Sequence, residues 1–165
     1  MTCIDWEIRA AGPRDHTPMR ALLLEGFPTP DEADLVERLR ESGATVIEFL
    51  AEADGRIVGA VVLSAMQQPE GTLGLGPVVV DASFRRNGIA ASLIESGLAL
   101  AAADDWRGVF VLGDLSYYGR FGFSADAAEG FAAPYPREHF GLAILDPDDP
   151  PAGAEAVYAA PFSTL

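Results

Sequence analysis

The stretch from Leu73 to Leu112 constrains the fold more than any other part of the chain. Leu73-Gly-Leu-Gly-Pro-Val-Val-Val80 and Val109-Phe-Val-Leu112 are apolar runs of strand character. Between them a short loop carrying Arg85-Arg86-Asn87 leads into residues 88–103. There Ile89, Leu93, Ile94, Gly97, Leu98 and Ala101 recur at helical spacing, with small residues that allow close approach to a sheet. Strand, helix and strand in that order form a βαβ unit, and a right-handed crossover makes its two strands parallel.

The flanking sequence is different in kind. Val46–Glu52 and Arg56–Ser64 bracket Asp54-Gly55, the strongest short signal for an antiparallel hairpin. A first strand is expected at Trp6–Ala11. Asp15 is placed to cap a helix through Met19, Leu22, Leu23 and Phe27, and Asp31 starts a second with Leu35, Val36 and Leu39 on one face. After Leu112 the pattern predicts a helical turn at 116–120, a strand around Phe123, late strands at Leu142–Leu145 and Glu155–Ala159, and a surface loop at 146–153. The expectation is one domain over residues 1–165, an α/β (α+β) mixed sheet, mostly antiparallel with one parallel pair, and flanking helices rather than a doubly wound sheet.

Charge narrows the partners. The formal net charge is -14 and all eleven basic residues are arginine, so the surface repels nucleic acid and anionic membranes unless a local basic island exists. Asp81 to Ile94 is such an island, with two arginines against one aspartate before the helix is well under way. No apolar run approaches the roughly 18–20 residues of a membrane span, no secretory leader is recognisable, and Cys3 has no cysteine to pair with. A cytoplasmic protein is the expectation. His16 and His139 are far apart in sequence without a metal-ligand pattern, so no metal is expected, and Trp6 and Trp106 read as packing residues.

The basic island coincides with a strand-to-helix turn, where a helix offers open N–H groups and the positive end of its dipole to an anion. Gly88 and Ala90 leave the backbone accessible to a pyrophosphate. With no lysine in the chain, a Walker loop is excluded, and a dinucleotide fingerprint lacks its other glycines. The physical reading is a phosphate site, the alternative being an ordinary turn with solvated arginines.

The segment Arg85-Arg-Asn-Gly88-Ile-Ala90 resembles the phosphate-binding motif of the GNAT superfamily of N-acetyltransferases, with Ala90 where glycine is commoner. Downstream, Tyr118-Gly-Arg-Phe-Gly-Phe123 is similar to that family's Tyr-x-x-x-Gly-Phe pattern, and residues 111–123 together resemble a YhbS-like bacterial subgroup. The resemblance implies the acyl-CoA N-acyltransferase fold, with its parallel pair splayed apart after about Val79 and Leu112. It implies acetyl-CoA as donor, its pantetheine arm paired with backbone groups of Val78, Val79 and Val80 and its pyrophosphate held by the amides of Arg85, Arg86, Asn87, Gly88, Ile89, Ala90 and Ala91. The acceptor would be an amine, selected by the N-terminal helices and the loops around Gln67-Gln68 and residues 131–140. Tyr118 matches the family's general acid, with Tyr117 a packing or cleft-wall residue. Asp114 is the favoured base, with Glu48 and Glu52 as alternatives, and a homodimer is the oligomer the resemblance allows. A non-catalytic acyl-CoA-binding regulatory module is the competing function, and a structural domain with a decayed site is a third.

Overall fold

A computed structural model describes residues 5–164, apart from the side chain of Thr164; Cys3 lies outside the described residues. Six strands form a single sheet in sequence order: β1 (Glu7–Ala10), β2 (Thr45–Ala53), β3 (Arg56–Ala65), β4 (Thr72–Val80), β5 (Gly108–Leu112) and β6 (Phe140–Ile144). Every neighbouring pair is antiparallel except β4 and β5, which are joined by the helix α3 (Ile89–Ala103). The hairpin between β2 and β3 turns on Asp54 and Gly55, both at positive φ (52° and 74°), as a tight turn matched to strand twist requires.

Alternation along β3 divides the core. Val61 and Leu63 face α3, against Ile89, Leu93, Ile94 and Leu98. Ala60 and Val62 face the opposite layer, made by α1 (His16–Gly26) and α2 (Asp31–Glu41), where Met19, Leu23, Val36 and Leu39 are buried. Full burial of a side chain such as Leu93 contributes about 1.5–3 kcal/mol, so α3 is held by its apolar face rather than by caps. Gly97 makes this possible: a Cβ there would lie 2.9 Å from Leu63 Cδ1. Trp6 and Trp106 pack at the margin of this core.

Three sequence expectations change. Asp15 is the residue before α1, but its side chain does not cap α1; its carboxylate takes two hydrogen bonds from Arg9 (2.8 and 2.9 Å) and one from the Gly12 amide (2.8 Å). A nearby guanidinium competes for the carboxylate more strongly than a helix terminus does. Around Phe123 there is no strand: Ser124 makes one bridge to Leu142, then its hydroxyl caps the short helix α5 (Ala125–Ala128), which ends the extended run. Residues 155–159 make only isolated bridges, Glu155 to Ala132 and Val157 to Gln68. The segment spans two loops instead of lying along one strand, so no ladder can grow.

Candidate active site

The splay of the parallel pair builds the site. β4 and β5 are in register from Thr72 opposite Gly108 to Leu75 opposite Val111, and no further. Pro77 has no N–H to donate, and the step from Val61–Val78 to Leu63–Leu75 in the β3 register places an extra residue on β4 at Gly76-Pro77. Beyond this bulge β4 follows β3 while β5 follows β6. The strands therefore part after Leu75, four residues earlier on β4 than the sequence resemblance implied.

The parting exposes one edge of Val78–Val80. The Asp81 N–H donates to Val58 O across β3 (2.8 Å), and Val79 is paired with Ala60. Alternation then turns the N–H and C=O of Val78 and Val80 to the open edge. A cleft of about 530 Å³ runs along this edge to the start of α3. It is lined by Val78, Val79, Val80, Arg85, Arg86, Gly88, Ile89, Ala90 and Ala91, together with Phe27, Tyr117 and Arg120. Nine of the ten residues expected to hold the donor thus meet on one surface. Asn87 is the tenth and is not among the lining residues; its side-chain amide turns back to donate to Phe84 O (3.0 Å) and Arg85 O (3.2 Å), which shapes the turn.

The start of α3 is built to leave amides open. Gly88 occupies the N-cap at φ 77°, a conformation that costs glycine little, and it offers no side chain to cap the helix. The first helical hydrogen bond runs from Ser92 N to Gly88 O, so the amides of Ile89, Ala90 and Ala91 have no acceptor within the helix. Arg85 and Arg86 are exposed and form no ion pair among the described residues. Arg120, which sequence reasoning did not assign to this surface, donates to Tyr117 O (3.0 Å) with its guanidinium 4.5 Å over the Tyr117 ring. In a chain of net charge -14, three guanidinium groups without carboxylate partners among the described residues face a cleft whose lining contains no acidic residue. That arrangement suits a polyanionic ligand.

A second cleft, of about 480 Å³, opens on the other side of the splay. It shares Phe27 and Val78 with the first, and Leu75, Gly76, Pro77 and Leu112 also line it. Tyr118 lies in its wall, at the end of the helix α4 (Leu115–Tyr118). The ring packs edge-on against Tyr117 and Phe123, at 5.2 and 5.9 Å between centroids. Gly113 is the floor beneath it, since a Cβ there would meet the ring at 2.7 Å. Burial pushes the Tyr118 phenol above its ordinary pKa, with a smaller contribution from Tyr117, so it stays protonated.

The acidic residues named from sequence lie elsewhere. Asp114 is exposed at the N-cap of α4, accepting from Ser116 N (2.9 Å) and Ser116 Oγ (2.7 Å), and lines neither cleft. Those hydrogen bonds lower its pKa, which weakens it as a base. Glu48 is paired with Arg40 (3.0 and 2.6 Å) and Glu52 with Arg9 (3.0 Å). The carboxylate that does line the second cleft is Glu32, in the first turn of α2. No sequence pattern marked it among the neighbouring Asp31 and Asp34. Gln67-Gln68 do not line the cleft; they hold the segment that carries Tyr158, with Gln67 Nε2 donating to Tyr158 O at 2.9 Å. Among the described residues no group of three His, Cys, Asp or Glu side chains is arranged to hold a metal ion.

The profile of the Acetyltransferase (GNAT) family matches residues 14–123, which include the turn, α3, β5 and Tyr118. The chain belongs to the GNAT acetyltransferase family. Within it, the chain is 33% identical over 133 residues to the uncharacterized N-acetyltransferase YhbS of Escherichia coli K12, covering 78% of this chain and 80% of that protein. The crystal structure of the GNAT family N-acetyltransferase YhbS from Escherichia coli in complex with CoA is similar in fold at a TM-score of 0.89. It is 29% identical and the match covers 99% of this chain and 94% of that one. A GNAT family acetyltransferase from Brucella melitensis, in complex with acetyl-CoA, gives a TM-score of 0.80 at 30% identity, covering 96% and 98%. The fold expected from the resemblance is therefore the GNAT fold, a mixed sheet with one parallel pair and helices on both faces. No helix among the described residues is long and apolar enough to cross a membrane.

Proposed function

We propose that this chain transfers an acetyl group from acetyl-CoA directly to a primary amine. The observation that carries the reading is the meeting of the two clefts at Phe27 and Val78, one lined by arginines and open amides, the other by Tyr118. The pyrophosphate of the donor would lie against the amides of Ile89, Ala90 and Ala91, with Arg85, Arg86 and Arg120 neutralising its charge. The open-edge groups of Val78 and Val80 would take the amides of the pantetheine arm as an added strand does. This directs the thioester into the splay, where the second cleft delivers the amine.

The step forms a C–N bond and breaks the C–S bond. The amine nitrogen attacks as the free base, its proton passing to solvent, and the departing thiolate takes a proton from the Tyr118 hydroxyl, which solvent then restores. That donor stays protonated through the physiological range because burial raises its pKa. Asp114, capped and outside both clefts, has no part in the step. Two relatives of similar fold bound to CoA or acetyl-CoA support the donor assignment.

The test is thiol release from acetyl-CoA across a panel of primary amines, with mass spectrometry of the acceptor. Turnover that adds one acetyl group to nitrogen is expected. CoA binding without turnover on any amine would indicate a binding module instead.

A further inference from the structure

The second cleft carries information about the acceptor that goes beyond "an amine". We infer that the acceptor is a small monoamine with an apolar body and no carboxylate of its own, which docks as its ammonium ion against Glu32 and Tyr158 and gives up a proton to solvent before its nitrogen attacks. The inference rests on the transferase reading for its place in the reaction, but not for the binding it predicts.

Two shielded polar atoms on residues that line the cleft lack partners among the described residues. Glu32 Oε2 is shielded from solvent and makes no hydrogen bond, and the Tyr158 hydroxyl, on a residue only 8% exposed, makes none either. A buried carboxylate oxygen or phenol left unpaired is costly, and a ligand that donates hydrogen bonds removes the cost. Both oxygens accept, and an ammonium group supplies three N–H donors with a positive charge. Phe27, Tyr135 and Phe162 complete the surround, and aromatic rings attract a cation further. Leu112, 47% exposed at the mouth of the cleft, is an apolar side chain that an apolar ligand would cover.

The same lining says what is refused. Glu32 is its single acidic residue and it contains no basic residue. An acceptor with a carboxylate would bury that group without a counter-charge, as would a second ammonium group. Amino acids and diamines are therefore poor acceptors, and arylalkyl or alkyl monoamines are good ones.

Phenylethylamine and phenylalanine differ only by a carboxylate, and hexylamine and hexamethylenediamine by a second amine, so these four compounds test the inference. With wild-type protein saturated with CoA, calorimetry should find each monoamine binding at least about tenfold more tightly than its charged counterpart. In Glu32→Gln, monoamine affinity should fall by about tenfold or more while CoA affinity is unchanged, which also reports that the variant is folded. Where turnover occurs, the loss should appear in the KM for the amine. Equal or reversed preference, acetylation confined to peptide N-termini, or Glu32→Gln binding monoamines as the wild type does would overturn the inference. Amine binding that depends on Glu32 without turnover would instead sink the transferase reading and leave this one standing.

Discussion

Replacing Tyr118 with phenylalanine isolates one hydroxyl from everything else the residue does. The ring keeps its contacts with Tyr117 and Phe123 and its seat on Gly113, and the hydroxyl makes no hydrogen bond to the described residues. Stability should change by no more than about 0.5 kcal/mol. Tyr118 is absent from the arginine-lined cleft, so CoA affinity should also be preserved. The chemical step is another matter. A phenol of reference pKa ~10 is about 2 kcal/mol uphill as a donor to a thiolate of conjugate-acid pKa ~8.5, and burial raises the phenol further. Geometry has to supply the difference, so the lower end of the general-acid range applies: kcat should fall about 100-fold. Thiol release with the fastest amine, beside a CoA titration of both proteins, measures this. Any falling alkaline limb of the wild-type rate should have its midpoint above the ordinary phenol value of ~10, because burial raises the Tyr118 pKa. A kcat within about threefold of wild type would refute the assignment, since a positioned acid is worth far more.

Other consequences follow from the same geometry. Arg85→Ala with Arg86→Ala removes two unpaired guanidinium groups from the cleft without breaking an ion pair; CoA affinity should fall about 10- to 100-fold at low salt, by less at high salt, and unchanged calorimetric affinity would contradict the site. Arg40→Ala strands the Glu48 carboxylate, whose side chain is 10% exposed, and should cost about 3 kcal/mol in chemical denaturation; a loss below about 1 kcal/mol would show that water replaces the partner. The Arg9 guanidinium and the Gly12 amide hold Asp15 well below the usual carboxylate range. Its contribution to stability is therefore full above the ordinary value near ~3.9 and lost as pH falls below it. Acid titration of the denaturation midpoint should show that loss in the wild type and a shallower one in Asp15→Asn.

What the sequence makes legible is what repeats locally. Asp54-Gly55 announces its turn because both positions need positive φ, and the stripe from Ile89 to Ala101 announces α3 because its period matches one buried face. The turn at Arg85–Gly88 is readable for the same reason: its chemistry lies within a few consecutive residues. The acceptor cleft is not readable in this way. Glu32, Tyr135 and Tyr158 come from a helix, a loop and a bridged tail that only the tertiary fold brings together. The splay point was misplaced because resemblance located it by strand ends, whereas Pro77 and the β4 bulge end the pairing earlier. Asp114 lies beside the splay in sequence, but its hydrogen bonds to Ser116 depend on the local fold of α4 and carry no sequence signature.

The most direct test of the account is a crystal structure of this chain with acetyl-CoA. Pyrophosphate oxygens are expected at the amides of Ile89, Ala90 and Ala91, with Arg85, Arg86 and Arg120 around them. The pantetheine arm should lie along the open edge of Val78–Val80, with the thioester between Val78 and Leu112 in reach of the Tyr118 hydroxyl. A donor bound elsewhere, or one whose thioester points away from the cleft that holds Tyr118 and Glu32, would contradict it.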